Sequence, residues 1–241
     1  MALPVIDTPV YDLTLPLSKK EIRFRPFLVK EQKNLLMAME ADDSETIERN
    51  IRQVLQNCTL TKEINIDKLP VVDIEYYFLN LRARSVSEIV EGEYLCNNEV
   101  DGKECGGKMK SSFNLLEIKV DMDPDTKDTI QITDKLTIKL KYPEFSLVEK
   151  LKGKESAVEI AFEIVADSIE YIFDGEQYYY ADETPKEELM QFLETLNQAQ
   201  FSKLEEFFNK LPVINKTVDM TCPRCGFVHN LTMQGLESFF E

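Results

Sequence analysis

The sequence predicts an α+β fold: helices packed with a small antiparallel β-region, and a zinc-knuckle-like cysteine site joining that region to the C-terminus. Three observations predict it. Apolar residues recur at helical spacing in the first and last thirds of the chain, and at period two in the middle. Two cysteine pairs, each followed by glycine, stand in the middle block and near the end. The 241 residues are enough to bury a sizeable core.

The elements follow in order. Residues 1–27 read as extended, and EIRFRPF alternates as a half-buried strand that ends at proline. VKEQKNLLMAME is a run of strong helix formers. A second helix opens at Ser44, a residue suited to the N-cap, and places Ile47, Ile51, Val54, Leu55 and Cys58 on one face. Cys58 is thereby expected to be a core thiol. DIEYYFLNLRARSVSEI is a third helix, with Arg82 and Arg84 near its C-terminal end, where cations suit the dipole. Residues 91–145 are the β-region. Asp101-Gly102 signals a turn between the first two cysteines. TIQITDKLTIKLKYP reads as a hairpin turning at Asp134-Lys135 and stopped by Pro143.

From 146 to 241 the chain returns to helix. Apolar residues at 158, 161, 162, 165, 169, 172 and 173 predict one long helix that Gly175 ends. Thr184, Pro185 and Glu187 predict a capping box for the next. QFSKLEEFFNKLP carries Phe201, Leu204, Phe207, Phe208 and Leu211 on one stripe, the pattern of a core-facing helix. Residues 1–90, 91–145 and 146–241 thus differ in character, yet no low-complexity linker separates them and one integrated domain is expected.

Cys96, Cys105, Cys222 and Cys225 carry the chemistry. Their pairs are C-x8-C and C-x2-C. Glycine after the second cysteine lets backbone amides turn toward thiolates, and four sulfurs would close a tetrahedral structural zinc site with no open position for catalysis. His229 could replace one cysteine, Cys96 or Cys105 foremost. Free reduced thiols and a redox pair are the other readings. The strand-like flanks VDMT and GFVHNLT differ from the helix that a redox C-x-x-C opens.

Composition narrows the function. The formal charge is −16, which repels a phosphate backbone and weighs against nucleic-acid binding. No apolar run approaches the ~20 residues of a membrane span. The N-terminus lacks the basic and apolar regions of a secretory signal, so a reducing cytoplasm is expected. The chain has one histidine, eight glycines and no phosphate-cradling loop, nucleophile elbow or His-Glu-x-x-His. A non-enzymatic protein without a small-molecule substrate follows. The acids at 121–125 read as a solvated turn, and Tyr178, Tyr179 and Tyr180 have no partner at catalytic spacing.

The order of IRFRPFLVKEQKNLLMAME, LRARSVSE before a cysteine-bearing β-region, LKYP, QFLETLNQAQFSKLEEFFNKLP, CPRCG and GLESFF resembles the baseplate hub and hub-assembly proteins of T4-like tailed bacteriophages. The resemblance spans about residues 20–241. It implies a viral protein that binds other hub and tail proteins, as a hub component or an assembly chaperone. It would act in the host cytoplasm during assembly, with a place in the virion baseplate open. The alternative is a zinc-ribbon adaptor for nucleic acid or for transcription or replication machinery, with Lys103, Lys108, Lys110, Lys216 and Arg224 near the cysteines. Phe239 and Phe240 would pack on the protein's own helices or serve as a docking tail.

Overall fold

The computed structural model of the chain describes residues 6–40, 44–154 and 156–234. Phe239 and Phe240 lie outside the described residues, as does the side chain of Ser44. In chain order the elements are β1 (Tyr11–Thr14), β2 (Glu21–Phe24), α1 (Val29–Glu40), α2 (Ser44–Cys58), α3 (Val71–Ser85), β3 (Ile89–Leu95), β4 (Glu99–Val100), β5 (Lys103–Glu104), β6 (Lys108–Asn114) and β7 (Val120–Asp121). Then come β8 (Thr129–Gln131), β9 (Thr137–Leu140), α4 (Phe145–Lys150), α5 (Ala157–Ser168), β10 (Ile169–Phe173), β11 (Tyr178–Tyr180), α6 (Lys186–Glu194), α7 (Gln198–Asn209), β12 (Val213–Thr221) and β13 (Val228–Gln234). Helices and small antiparallel sheets make this an α+β protein, as expected. Among the described residues no helix is long and apolar enough to cross a membrane.

The chain divides into two compact units, which cut across the three stretches read along the sequence. One holds residues 1–66, 72–121 and 213–241; the other holds 67–71 and 122–212. Strand pairing is the reason. Val213 pairs with Asp121 and Ile214 with Val120, so the chain re-enters the first unit beside the point where it left.

In the first unit the β1–β2 hairpin buries Ile22 and Phe24, and the Phe24 ring meets Tyr77 of α3 edge-on at 5.4 Å. Cys58 is fully buried there, a core thiol as predicted. The buried Asp73 carboxylate accepts the N–H groups of Leu17 and Ser18, both at 2.8 Å, which fastens the turn after β1 to α3. A second cluster joins Leu79 and Ala83 of α3 to Leu115, Ile118, Ile214 and Met233. β3 pairs with β6 from Ile89↔Asn114 to Leu95↔Lys108, and β12 pairs with β13 from Asn215↔Gln234 to Thr221↔Val228. The period-two reading fails at residues 115–117, where a 3-10 turn capped by the Asn114 side chain interrupts the strands.

The second unit is a four-stranded antiparallel sheet, ordered β11-β10-β9-β8, with helices on one face. Its core joins Ile138, Leu140 and Ile172 of the sheet to Val165, Leu189, Leu193, Leu204 and Phe207 of the helices. Phe207 of α7 is therefore core, with Phe201 and Phe208 half-buried against it, on the stripe that their spacing predicts. The long helix predicted through residue 173 is corrected. α5 stops at Ser168, and Ile169–Phe173 is a central strand between β9 and β11. The segment IEYIF is β-branched and aromatic, a composition that fits a pleated sheet better than a helix. Gly175 (φ +99°) sits in the β10–β11 turn and ends no helix. The Thr184 capping box is also absent. Its hydroxyl donates to Tyr180 O at 2.8 Å, and Pro185 stands at the N-cap of α6 without a side-chain cap bond. A capping box forms instead at Asn197 and Gln200, at the start of α7.

Candidate metal centre

Two hairpins present their tips to one point. Cys96 follows directly on β3, and Cys222 follows directly on β12. At the first tip the Cys96 N–H donates to Gly107 O at 2.8 Å and the Gly106 N–H returns to Cys96 O at 2.9 Å. At the second tip the Cys222 N–H donates to Phe227 O at 2.8 Å and the Gly226 N–H returns to Cys222 O at 2.9 Å. The two backbones are the same knuckle. Gly106 and Gly226 take the matching left-handed position, with φ of +62° and +74°.

The C-x8-C pair is therefore a tight knuckle with a small hairpin spliced into it. β4 and β5 pair Val100 with Lys103 around Asp101-Gly102, both at positive φ as a two-residue type I′ turn requires. The Cys105 N–H donates to Asn98 O at 2.8 Å and closes the base of the insertion. The wide spacing in the sequence becomes a short spacing in space.

The four sulfurs of Cys96, Cys105, Cys222 and Cys225 all lie within 4.8 Å of one another. Two pairs that span the knuckles, Cys96–Cys225 and Cys105–Cys222, stand 3.6 and 3.8 Å apart. A tetrahedral ion with sulfur ligands at about 2.3 Å has sulfur–sulfur edges of about 3.8 Å, so the cluster has the size of a four-cysteine zinc site. Cys96, Cys105 and Cys222 are buried and Cys225 is half-buried. All four are free thiols.

Backbone donors complete the fit. Cys96 accepts from the Asn98 N–H, Cys105 from the Gly107 N–H, and Cys222 from the N–H groups of Cys225 and Arg224, the last at 3.4 Å. Each of these three sulfurs thus faces the amide two residues on, an arrangement that favours thiolate. Burial opposes it. Burial pushes the Cys96 thiol up to about 12, and the neighbouring sulfurs add to the rise against the Asn98 amide. Burial likewise raises Cys105. Cys222 goes the other way, down to about 7, because the Cys225 amide and then the Arg224 amide stabilise its thiolate against burial. Four sulfurs this close repel one another as anions; a divalent cation removes that conflict and deprotonates the coordinating thiols.

The surrounding residues hold the tips together. Arg224 Nη1 donates to Cys105 O at 2.6 Å, across the two knuckles. Gly107 is packed so closely that a Cβ there would sit 2.6 Å from Cys222 Sγ. His229 lies on β13 with Nε2 3.1 Å from Cys96 Sγ, and its ring meets Phe227 edge-on at 4.8 Å. It is outside the mutually converging set, within hydrogen-bond reach of the Cys96 sulfur. Sequence reasoning missed the parts that Gly107 and Arg224 play. The doubled glycine at 106–107 was the available signal for the first; the second stood out only as a cation near the cysteines, with nothing to mark its carbonyl partner.

A family model described as T4 bacteriophage base plate protein matches residues 8–241 of the chain. Comparison with curated proteins and with solved structures returns no match.

Proposed function

The chain belongs to the T4 bacteriophage base plate protein family, and from that premise we propose that it is a non-enzymatic component or assembly factor of the baseplate hub. The family makes other baseplate proteins its partners and the virion tail baseplate its setting. The observation that carries the proposal is the length of the match, which leaves only residues 1–7 outside it. Both compact units therefore fall within the family pattern, and no separate catalytic domain needs explaining.

The cysteine cluster supports the same reading. We assign one structural zinc ion to Cys96, Cys105, Cys222 and Cys225, with His229 donating to Cys96. Bound there, the ion contributes folding free energy and fixes two hairpin tips that the sequence separates by more than a hundred residues. An ion enclosed by four thiolates stabilises a surface and performs no hydrolysis.

The nucleic-acid adaptor is less well supported. Two of the cations near the knuckles are engaged internally: Arg224 with Cys105 O, and Lys108 with Glu93 at 2.6 Å. The formal charge of −16 opposes a phosphate backbone.

Quantitative mass spectrometry of purified particles against infected-cell lysate tests the hub reading. A fixed ratio to tail proteins in particles means a resident subunit. Abundance in lysate without incorporation, together with loss of tails when the protein is absent, means an assembly factor. Co-purification with DNA or polymerase, and intact tails without the protein, would overturn the proposal.

A further inference from the structure

We propose that β11 is the docking edge for a basic, extended segment of a partner protein, which adds to the sheet as a fifth strand. Among the described residues β11 pairs only with β10 and is the outer strand of its sheet. Its register sets which groups face out. The Asp174 N–H bonds Gln177 O, and the Ala181 N–H bonds Glu170 O, so positions 177, 179 and 181 point toward β10. Tyr178 and Tyr180 turn their backbone groups outward. Tyr180 O already accepts the Glu183 N–H and the Thr184 hydroxyl. That leaves the Tyr178 N–H and C=O and the Tyr180 N–H without a protein partner among the described residues.

Exposed edges are normally blunted by lysine, proline or a covering group. The opposite edge of the same sheet follows that rule: Lys203 Nζ caps Gln131 O at 3.0 Å and Ile132 O at 3.2 Å. On β11 the turn that follows covers Tyr180 O, and among the described residues no lysine or proline blunts the rest of the strand. It consists of three tyrosines that are 53%, 40% and 46% exposed. Tyr178 and Tyr180 share the solvent face with Tyr171 and Phe173. Tyr178 stacks on Phe173 at 4.6 Å and lies 6.1 Å from Tyr180. This is an aromatic platform beside unpaired backbone.

Charge identifies the occupant. Residues 169–185 contain Glu170, Asp174, Glu176, Asp182 and Glu183 and no lysine, arginine or histidine. Asp174 and Glu176 stand before β11 and Asp182 and Glu183 after it. The amides of Gln177 and Glu176 and the Tyr179 hydroxyl hold the Asp174 carboxyl below its ordinary range, so that end stays anionic. A second copy of this chain would bring the same acids to the same edge. A phosphate backbone would be repelled. A strand carrying alternate arginine or lysine side chains matches both ends, and its cations can lie over the tyrosine rings.

The test is independent of the hub reading, since it uses the purified chain and defined probes. A fluorescein-labelled, end-blocked peptide alternating arginine and valine is titrated by anisotropy. The same peptide with proline at its centre, a glutamate-for-arginine version and a single-stranded oligonucleotide serve as comparisons. Tyr178→Pro removes one outward N–H without removing a β10–β11 bond or any charge. We expect saturable binding of the basic peptide alone, weakened at least about tenfold by Tyr178→Pro and by Asp182→Lys with Glu183→Lys. Equal binding to Tyr178→Pro, tolerance of the central proline or no binding would overturn the proposal. So would preference for the oligonucleotide. Concentration-dependent dimerisation abolished by Tyr178→Pro would give the edge to a second copy instead.

Discussion

Gly107→Ala isolates the candidate metal centre, because it adds one methyl group at the place where the two knuckles touch. The new Cβ would lie 2.6 Å from Cys222 Sγ, 3.0 Å from Arg224 Cβ and 3.4 Å from Cys105 Sγ. Comfortable carbon contacts begin at about 3.5 Å, so the Cys222 sulfur must retreat by about 1 Å. A metal site tolerates ligand displacements of about 0.2 Å. The retreat exceeds that several times over and also loosens the arginine bridge to Cys105 O. Disturbing only an outer-shell group costs about 10–100-fold in metal affinity, so zinc affinity should fall by about 100-fold or more. Gly106→Ala is the matched comparison. Its Cβ would meet nothing within 4 Å, and its φ of +62° costs only left-handed strain, about 1 kcal/mol. Competition with a chromogenic chelator gives the zinc affinity of each variant, and cobalt substitution reports sulfur ligation through its charge-transfer band. The expected result is a retained site in Gly106→Ala and a lost one in Gly107→Ala. Unchanged zinc affinity in Gly107→Ala would refute the geometry argued for the cluster.

Cys222→Ser should abolish stoichiometric zinc and lower stability by about 4 kcal/mol, which is about 10 °C in Tm for a chain of this size; an unchanged melting curve would count against a structural ion. Burial pushes the Glu75 carboxyl up to about 7 from its ordinary 4.5. The folded state therefore holds a proton that the unfolded state has lost, and this contribution, full below 4.5, disappears as pH rises through about 7. Glu75→Gln should then be about 1–3 kcal/mol more stable than the parent in mild alkali and no more stable in acid, which melts across pH would reveal. Asn197→Ala removes the capping box of α7 and should cost about 1 kcal/mol by urea unfolding, whereas Thr184→Ala, which caps no helix, should cost less.

These expectations separate what the residues announce from what only folding reveals. The helix α7 was legible because five apolar positions share one stripe. The cysteines were legible because glycine follows each pair. The strand β10 was hidden, since Ile169, Ile172 and Phe173 continue the apolar spacing of α5 and no glycine marks the boundary at Ser168. Only pairing with β9 and β11 decides it, and pairing is a property of distant residues. The capping box at Thr184 failed for a similar reason. The local pattern was right, but the hydroxyl found the carbonyl of Tyr180 first. The role of Arg224 was invisible because its partner is a backbone oxygen 119 residues earlier in the chain.

The same distance explains why this fold would gain from a metal. The first unit is assembled from segments that the second unit interrupts between Asp121 and Val213. β7 and β12 meet through two residue pairs only, a short seam for so long an excursion. The hairpins β3–β6 and β12–β13 are each closed locally, and a small hairpin is marginal by itself. Joining their tips converts two local closures into one long-range constraint. Loop-closure entropy grows with length, though slowly, so a crosslink across a long separation constrains the unfolded chain more than one across a short separation. The knuckles stand at the turn ends of both hairpins, one residue past Leu95 and Thr221. An ion there fixes both turns and closes the long loop at once. By this argument, metal removal should release the β12–β13 hairpin and the β4–β5 insertion before it melts the second unit. Hydrogen exchange after chelation should show loss of protection at residues 96–107 and 213–234 with residues 137–173 still protected. Simultaneous loss in all three stretches would refute the local role.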